Sequence, residues 1–383
     1  MPININDRLT RLNNRRKGMD RLGRLTEAAQ LDVVRKSVHS EAWQRRASTG
    51  QPNTRYALGA MQEVDPDYTR ISKETAERVA GQLKSGLTAR GFTVDWRLQG
   101  SVPLNVHIRG VSDVDLLKLD TNFKTYTSWG AMSQAGRYSG TATTATSVGS
   151  LLNLRRESET ILKAKYPAAT VDCSGNKAIK IFGGSLARPV DVVPSHWFDN
   201  YDYQTSGQEH DRSVTILDKS VPTTIDNLPF LHIKKISDRC DHALGGVRKA
   251  IRLCKNVKND AEEERGVKIA LSSFDIGATI FHADLAALRA GASYELAILA
   301  EVQRHLDHLT MNESHAKTLR VPDGSRAIFD TPEKLSALRT LSVEMDELAK
   351  AVATEQGKVV MKSLGVSTYD ARRILNEAYI PYL

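Results

Sequence analysis

Apolar residues recur at helical spacing in the first quarter of the chain. Residues 19–46 place apolar and charged side chains on opposite faces, and residues 68–89 repeat the pattern, with Gly91 placed to end the second helix. The aligned apolar positions are Leu22, Leu25, Ala29 and Val33 in the first segment and Ile71, Val79, Leu83 and Leu87 in the second. The spacing therefore predicts two amphipathic helices.

The hydrophobic period shortens to two between residues 93 and 119. Residues 93–98 lead into Gly100-Ser101, and residues 111–119 alternate, with Val111, Asp113, Asp115 and Leu117 on one side. Alternation of this kind is typical of half-buried strands. We therefore predict two strands, with both aspartates on the same face of the second.

The middle of the chain mixes loop and strand signals. Residues 121–150 are rich in Ser, Thr, Gly and Ala with little apolar periodicity, which predicts a mobile loop or lid. A helix is predicted from about 147 to 166. Residues 177–182 and 189–194 flank the turn 183–185, and we interpret them as a hairpin with Asp191 on its second strand.

After about residue 225 the pattern becomes mainly helical. The predicted helices cover residues 237–258, 272–288, 291–310 and 331–356, the last with Thr331 as cap and Pro332 as first residue. The order of elements predicts an α+β fold. We expect a basic helical N-terminal arm over 1–60, a sheet domain over 61–225 and a helical C-terminal domain over 226–383.

The composition of the 383 residues is that of an ordinary soluble protein, with 40% hydrophobic and 26% charged residues. Cys173, Cys240 and Cys254 share no metal-ligand spacing and, being odd in number, form no closed disulfide framework. No apolar run approaches the roughly 18 to 20 residues of a membrane span, and the N-terminus lacks the apolar core of a secretory signal. We therefore expect a cytoplasmic protein that does not bind membranes.

The net charge of +8 is concentrated near the N-terminus. Residues 1–50 carry eleven Arg and Lys against five Asp and Glu, so six of the eight excess charges lie there. A long nucleic-acid groove needs basic residues along one face, whereas a pocket for small nucleotides needs only a few, and the distribution favours small nucleotides. Two interpretations of the basic arm stay open: a second anionic site, or a solvated helix without a partner.

The strongest chemical pattern joins a Gly-Ser turn to two carboxylates. After Gln99-Gly100-Ser101, eleven residues intervene before Asp113-Val114-Asp115. Residues two apart in a strand project to the same face about 6.5 to 7 Å apart, so these carboxylates can converge on metal ions. Two-metal phosphoryl transfer uses ions about 3.5 to 4 Å apart, and Mg²⁺ prefers carboxylate and phosphate oxygens. The pattern predicts nucleotidyl transfer at a site for two Mg²⁺ ions.

Asp191 is the predicted third carboxylate of this site. It stands alone among apolar strand residues, where an unpaired charge is costly unless it binds a metal or a cation. The alternative is a buried salt bridge to Lys177 or Arg188. A second carboxylate pair, Asp65-Pro66-Asp67, is interpreted as a turn because proline is awkward inside a paired strand.

These residues resemble the catalytic pattern of the polymerase-beta-like nucleotidyltransferases. Within that superfamily, residues 68–330 resemble the cGAS/DncV-like nucleotidyltransferases (CD-NTases) of bacterial CBASS antiphage systems. Residues 247–255, 271–274 and 321–326 are similar to further segments of the family. The resemblance implies that the donor triphosphate is held by Gln99, Gly100, Ser101, Lys255 and Ser272 or Ser273. Residue chemistry alone favours a solvated helix residue for Lys255 and a plain helix cap for either serine, and the resemblance reverses this preference.

The resemblance also implies architecture and activity. It implies an α+β palm, with a mixed and mostly antiparallel sheet, fused to a helical C-terminal domain. Asp113, Asp115 and Asp191 would bind two Mg²⁺ ions, with Mn²⁺ as the alternative metal. The bacterial, cytoplasmic enzyme would join NTPs, with ATP and GTP favoured, into a cyclic di- or trinucleotide that activates a separate effector. A regulatory protein or nucleic-acid activator is a further implied partner. The chain departs from the family at residues 105–108, where a Thr is common.

Two other functions stay open at this point. A nucleotidyltransferase that makes linear oligoadenylate or modifies RNA ends would share the palm. A non-catalytic nucleic-acid-binding regulatory protein would need no carboxylates, so the complete set argues against it. The sequence leaves base choice, phosphodiester linkage, ring size, activator and oligomeric state undetermined.

Overall fold

Strands and helices occupy different parts of the chain. The computed structural model describes residues 4–18, 41–110, 112–139, 143–357 and 365–381. Within them the strands are β1 (Val94–Gln99), β2 (Val114–Tyr126), β3 (Thr170–Asp172), β4 (Ile179–Phe182), β5 (Val190–Asp199), β6 (Ser213–Asp218) and β7 (Thr223–Asn227). The helices are α1 (Ile5–Lys17), α2 (Pro52–Met61), α3 (Pro66–Thr88), α4 (Ala131–Gln134), α5 (Ser147–Lys165), α6 (Tyr201–Ser206), α7 (Pro229–His242), α8 (Gly246–Arg265), α9 (Ser273–Phe281), α10 (Leu285–Ala290), α11 (Ala297–Met311), α12 (Glu313–Thr318), α13 (Pro332–Gln356) and α14 (Thr368–Glu377), with 3₁₀ turns at Ala42–Arg45 and Glu209–Asp211.

The chain divides into two units. The sheet unit comprises residues 66–104 and 112–235, and the helical unit comprises residues 1–65, 105–111 and 236–383. The predicted boundaries near 60 and 225 lie close to residues 65 and 235, where the chain passes between the units. The N-terminal residues and the segment 105–111 group with the C-terminal helices.

The sheet unit is built on one seven-stranded sheet. β1, β2, β5, β4 and β3 lie side by side in that order, while β6 pairs with the second half of β5 and with β7. β2 and β5 run parallel, and the other strand pairs of the described residues are antiparallel. The predicted hairpin around residues 183–185 is present as β4 and β5. The prediction of an α+β fold with a mixed, mostly antiparallel sheet is confirmed.

Helices α3 and α5 cover one face of this sheet. Val79, Leu83 and Leu87 of α3 recur at helical spacing and pack in the same core as Leu116 of β2. Because side chains alternate along a strand, Leu117 lies on the opposite face, with Val193 and Trp197. Asp115 shares the face of Leu117, which α3 and α5 leave uncovered.

The segment 121–139 contains the end of a strand and a short helix, so the prediction of a loop is wrong for residues 121–126 and 131–134. β2 continues to Tyr126, and the short helix α4 follows. The Gln204 side-chain amide donates hydrogen bonds of 2.8 Å to the Thr127 and Asp199 carbonyl oxygens and accepts one of 3.0 Å from the Ser133 N–H. The small polar residues here are held by side-chain hydrogen bonds rather than by an apolar stripe. Residues 140–142 of the predicted lid lie outside the described residues.

Helix α8 lies at the centre of the helical unit. Its buried apolar side chains are Val247, Ala250, Ile251, Leu253, Cys254, Val257 and Ala261. The predicted helix 237–258 is interrupted, because Leu244 (φ 49°) and Gly245 (φ 91°) turn the chain between α7 and α8. The predicted helix 331–356 is confirmed as α13, with the Thr331 side chain capping its first turn.

The arginines of α1 are paired within the helical unit. Arg8 binds Glu264 and Glu344, and Arg15 donates to both oxygens of the buried Asp260 at 2.6 and 3.0 Å. These charges therefore stabilise the helical unit and do not form an exposed basic patch. Most of the predicted helix 19–46, residues 19–40, lies outside the described residues.

Two properties of the described residues bear on the compositional expectations. Cys173, Cys240 and Cys254 are all free thiols. None of the helices that the structure describes combines the length and the apolar character needed to cross a bilayer.

Candidate active site

Four polar side chains form one row across the sheet. Asp115 on β2 is in register with Gln99 on β1 and with Asp191 on β5, and Asp191 is in register with Lys180 on β4. Residues in register on neighbouring strands project to the same face, with strands about 4.8 Å apart. The sheet therefore brings the predicted carboxylates Asp115 and Asp191 side by side.

Asp113 completes this group from just before β2. The predicted strand started at Val111, but the observed strand starts at Val114, and Val111 lies outside the described residues. Asp113 Oδ2 accepts a hydrogen bond from Lys180 Nζ, which makes an ion pair beside the carboxylate row. We call Gln99, Asp113, Asp115, Lys180 and Asp191 the carboxylate row.

Gly100 lies against the carboxylate row because it has no side chain. Its backbone is left-handed (φ 76°), and a Cβ there would lie 2.3 Å from Asp115 Oδ2 and 3.3 Å from Asp115 Cγ. Glycine adopts this conformation without steric cost and permits such close approach. The turn of Gly100 and the half-buried Ser101 therefore begins directly beside a predicted metal ligand.

Asp191 carries an unsatisfied oxygen. Its Oδ1 is buried without a hydrogen-bond partner among the described residues. Burial raises the pKa of Asp191, the Lys180 ammonium lowers it, and the Asp113 and Asp172 carboxylates raise it again, so the net pKa lies above its ordinary value. A carboxylate in this state gains from a cation next to it.

These residues fit a divalent metal by their donor type. Carboxylate oxygens are the ligands that Mg²⁺ prefers, and the unpaired Asp191 oxygen lies in register with Asp115. In the described part of the chain, no three His, Cys, Asp or Glu side chains stand close enough to enclose a metal ion as they are placed. Asp113 is instead engaged by Lys180.

Lys180 is the site residue that the sequence interpretation missed. The alternative for Asp191 was a buried salt bridge to Lys177 or Arg188, and neither residue forms an ion pair with Asp191 among the described contacts. Lys177 is exposed before β4, and the Arg188 guanidinium stacks 3.9 Å from the centre of the Tyr68 ring. The sequence pattern could place Lys180 on the face opposite the core, because it lies between the apolar residues Ile179 and Ile181. It could not show that Lys180 lies beside Asp191, because that depends on the register of the hairpin.

The other predicted nucleotide-binding residues belong to the helical unit. Lys255 is 3% exposed, and its Nζ donates a 2.8 Å hydrogen bond to the Val106 carbonyl oxygen. Arg252, one turn earlier on α8, donates to the carbonyl oxygens of Asn105 at 3.1 Å and Met61 at 2.9 Å. Lys255 is therefore not a solvated helix residue. The two side chains hold the backbone at Asn105 and Val106.

Ser272 and Ser273 begin helix α9. The Ser272 hydroxyl accepts from the Asp275 N–H at 3.0 Å and donates to Asp275 Oδ2 at 2.7 Å, so it caps the helix. Asp275 also pairs with Arg326 at 2.5 Å. Two segments that resemble the CD-NTases, around residues 272 and 326, are thus joined through one buried carboxylate.

Comparison with known proteins identifies relatives over most of the chain. No protein-family model matches it. The cyclic dinucleotide synthase CdnE of Yersinia aleksiciae is 43% identical over 359 residues, which cover 91% of each chain. The c-di-GMP synthase of Capnocytophaga granulosa is 30% identical over 317 residues, which cover 76% of this chain and 85% of that one.

A solved structure agrees with these sequence relatives. The STING-associated CdnE c-di-GMP synthase of Capnocytophaga granulosa matches with a TM-score of 0.68 at 26% identity, covering 90% of this chain and 97% of that chain. The predicted polymerase-beta-like fold is thereby confirmed. The chain belongs to the CdnE cyclic dinucleotide synthases, which are nucleotidyltransferases of the CD-NTase family.

Proposed function

We propose that the carboxylate row is the active site at which this chain joins two nucleoside triphosphates into a cyclic dinucleotide, a second messenger of antiphage defence. The observation that carries the proposal is the register of Asp115 with Asp191 on parallel strands, beside the side-chain-free turn at Gly100. Asp113, Asp115 and Asp191 would hold two Mg²⁺ ions, for which Mn²⁺ can substitute. When bound, the metal would lower the pKa of the attacking hydroxyl and stabilise the leaving oxygen.

The chain's own groups have separate roles in this proposal. The carboxylates of Asp113, Asp115 and Asp191 accept only, so they orient cations and repel a misplaced phosphate. The backbone N–H groups at Gly100 and the hydroxyl of Ser101 would donate to the β- and γ-phosphates of the donor nucleotide, and the missing Cβ of Gly100 supports this role because it leaves the backbone open to close approach. Gln99 lies at the end of the row nearest that turn.

Lys255, Ser272 and Ser273 remain predictions that rest on the family resemblance. Within the helical unit, the described contacts give two of these residues a structural task as well: Lys255 holds Val106, and Ser272 caps α9. A triphosphate-binding role for them is a separate proposal, which substitution and the KM for NTP can test.

GTP is the first substrate to test. Relatives named as c-di-GMP synthases reach 30% identity over most of this chain, while the relative at 43% identity carries the broader name of cyclic dinucleotide synthase. The two names together support a cyclic dinucleotide product with guanine as the leading base. The product would then act on a separate effector, and a regulatory protein or nucleic acid would control the synthase.

The test compares two carboxylate pairs of the same spacing. Asp113→Asn/Asp115→Asn is expected to abolish pyrophosphate release from mixed NTPs with Mg²⁺, whereas Asp65→Asn/Asp67→Asn is expected to retain it. Asp65 and Asp67 flank Pro66, the first residue of α3, and are more than thirty residues from the carboxylate row in sequence. Cyclic product formed undiminished by the first variant would refute the assignment.

Product chemistry separates the competing functions. A cyclic dinucleotide has no terminal phosphate and resists alkaline phosphatase, whereas linear oligoadenylate loses its triphosphate, and mass spectrometry distinguishes the two. A linear product, or nucleotides added to an RNA end, would replace the proposed function with the first alternative. If no pyrophosphate forms with any NTP, with or without RNA or DNA activators, the non-catalytic alternative gains.

A further inference from the structure

Lys180 projects from the strand next to Asp191 onto the face that carries the carboxylates. Ile179 and Ile181, its neighbours along β4, are buried in the core beneath α3 and α5, so Lys180 lies on the opposite face. Its side chain is 41% exposed, and that of its partner Asp113 is 24% exposed. The ammonium therefore reaches the carboxylates from the solvent-accessible side.

The Lys180 ammonium contacts Asp113 Oδ2, one of the oxygens that this carboxylate could offer to a metal ion. Asp113, Asp115 and Asp191 place three negative charges near one another, and Lys180 is the cation that the described structure pairs with them. While Lys180 Nζ donates to Asp113 Oδ2, one acceptor site of this carboxylate is taken, and a metal ion bound there would be repelled by the ammonium charge. Ammonium and metal ion therefore compete for the same carboxylate.

We propose that Lys180 is a positioning residue that stands in for the metal: it keeps the carboxylates together in the metal-free protein and competes with the divalent ion for Asp113. The inference rests on the proposed function, because it takes Asp113 as a metal ligand. Its consequence is that the metal binds weakly on its own. A nucleotide that brings phosphate oxygens to the site offers the displaced ammonium a new partner, so metal and nucleotide favour each other's binding.

The test measures Mn²⁺ binding without nucleotide, by the electron paramagnetic resonance signal of free Mn²⁺. Lys180→Met is expected to bind Mn²⁺ about fivefold more tightly than the wild type, because the Lys180–Asp113 ion pair no longer has to be broken. The effect is modest because partly exposed ion pairs are weak. Lys180→Arg should stay near the wild type, since the charge is kept. Lys177→Met is the matched control, since it removes an exposed lysine three residues away.

The outcomes separate this inference from the proposed function. Unchanged or weaker Mn²⁺ binding by Lys180→Met, with thermal unfolding unchanged, would overturn the competition. If Lys177→Met binds Mn²⁺ more tightly to the same extent, the effect is one of general charge and the proposed competition is overturned. The competition is also overturned if neither the wild type nor any variant binds Mn²⁺. Tighter binding by Lys180→Met alone supports the inference, whatever product the NTP assay yields.

Discussion

Gly100→Ala should abolish most activity while leaving the fold nearly intact. The new Cβ would lie 2.3 Å from Asp115 Oδ2, whereas ordinary contacts begin at 3.4 Å, so the carboxylate must move by about 1 Å. Because that oxygen ends a flexible side chain, rotation relieves the clash and the folding cost is small. The moved atom is, however, a proposed metal ligand.

Two magnitudes follow from this geometry. An alanine with left-handed φ costs about 1 kcal/mol of folding free energy. A misplacement of about 1 Å at reacting groups reduces the rate by about 100-fold. We therefore expect a loss of about 1 kcal/mol in stability and about 100-fold in kcat.

Gly183→Ala is the matched control within the same unit. Gly183 is also left-handed (φ 78°), but a Cβ there would meet nothing within 4 Å. It should show the same loss of stability in urea unfolding and nearly wild-type pyrophosphate release from mixed NTPs. If the kcat of Gly100→Ala lies within about threefold of the control, the close approach to Asp115 has no catalytic importance and the reasoning is refuted.

Three further predictions concern buried charges and caps. Burial lowers the pKa of Lys118 from 10.5 to about 8, so the unfolded chain binds more protons than the folded protein between these pH values, and wild-type stability rises with pH across that window. Lys118→Met removes the buried charge and should therefore stabilise the protein at pH 7 by about 3 kcal/mol. Urea unfolding of both proteins from pH 8 to 10.5 checks this, and a stability gain that does not shrink across the series would contradict the pKa shift. Asp260→Asn leaves the buried Arg15 guanidinium without its carboxylate and should cost about 3 to 5 kcal/mol in thermal or urea unfolding; a cost below 1 kcal/mol would show that the pair is not strongly coupled. Ser272→Ala removes a helix cap and should lower the free energy of unfolding by about 1 kcal/mol in urea, while Ser273→Ala should leave it unchanged. If the KM for NTP is unchanged in both variants, the predicted phosphate-binding role of the two serines is contradicted.

The parts of the site that lie within one local segment could be predicted from the sequence. The alternation around Asp113 and Asp115, and the isolation of Asp191 in an apolar strand, are local patterns that fix which face a side chain takes. The Gly183 turn fixed the hairpin that carries Asp191. Two strands that are distant in sequence then had to pair in parallel, and that pairing was available only through the family resemblance.

Features set by tertiary contacts escaped the sequence patterns. Residues 121–139 have no local apolar pattern, because their order comes from distant contacts. Residues 124–126 pair with residues 197–199 of β5, and the Gln204 amide binds Thr127 and Ser133. The ion pair of Lys180 with Asp113 likewise joins residues that share no local pattern. The residue types Lys and Gln do not indicate such partners, since both are common surface residues in strands and helices.

The eleven residues between Ser101 and Asp113 illustrate the same limit at the centre of the motif. In the sequence motif only their number matters. In the structure, residues 105–111 group with the helical unit, where Arg252 donates to the Asn105 carbonyl oxygen and Lys255 to that of Val106. Asn105 is held in a left-handed conformation (φ 54°), which a non-glycine residue adopts at a cost that its surroundings must offset. The middle of this connection is therefore held by side chains of the helical unit. A change in it would act on the Gly100 turn and on Asp113 together, because the same backbone leads from one to the other.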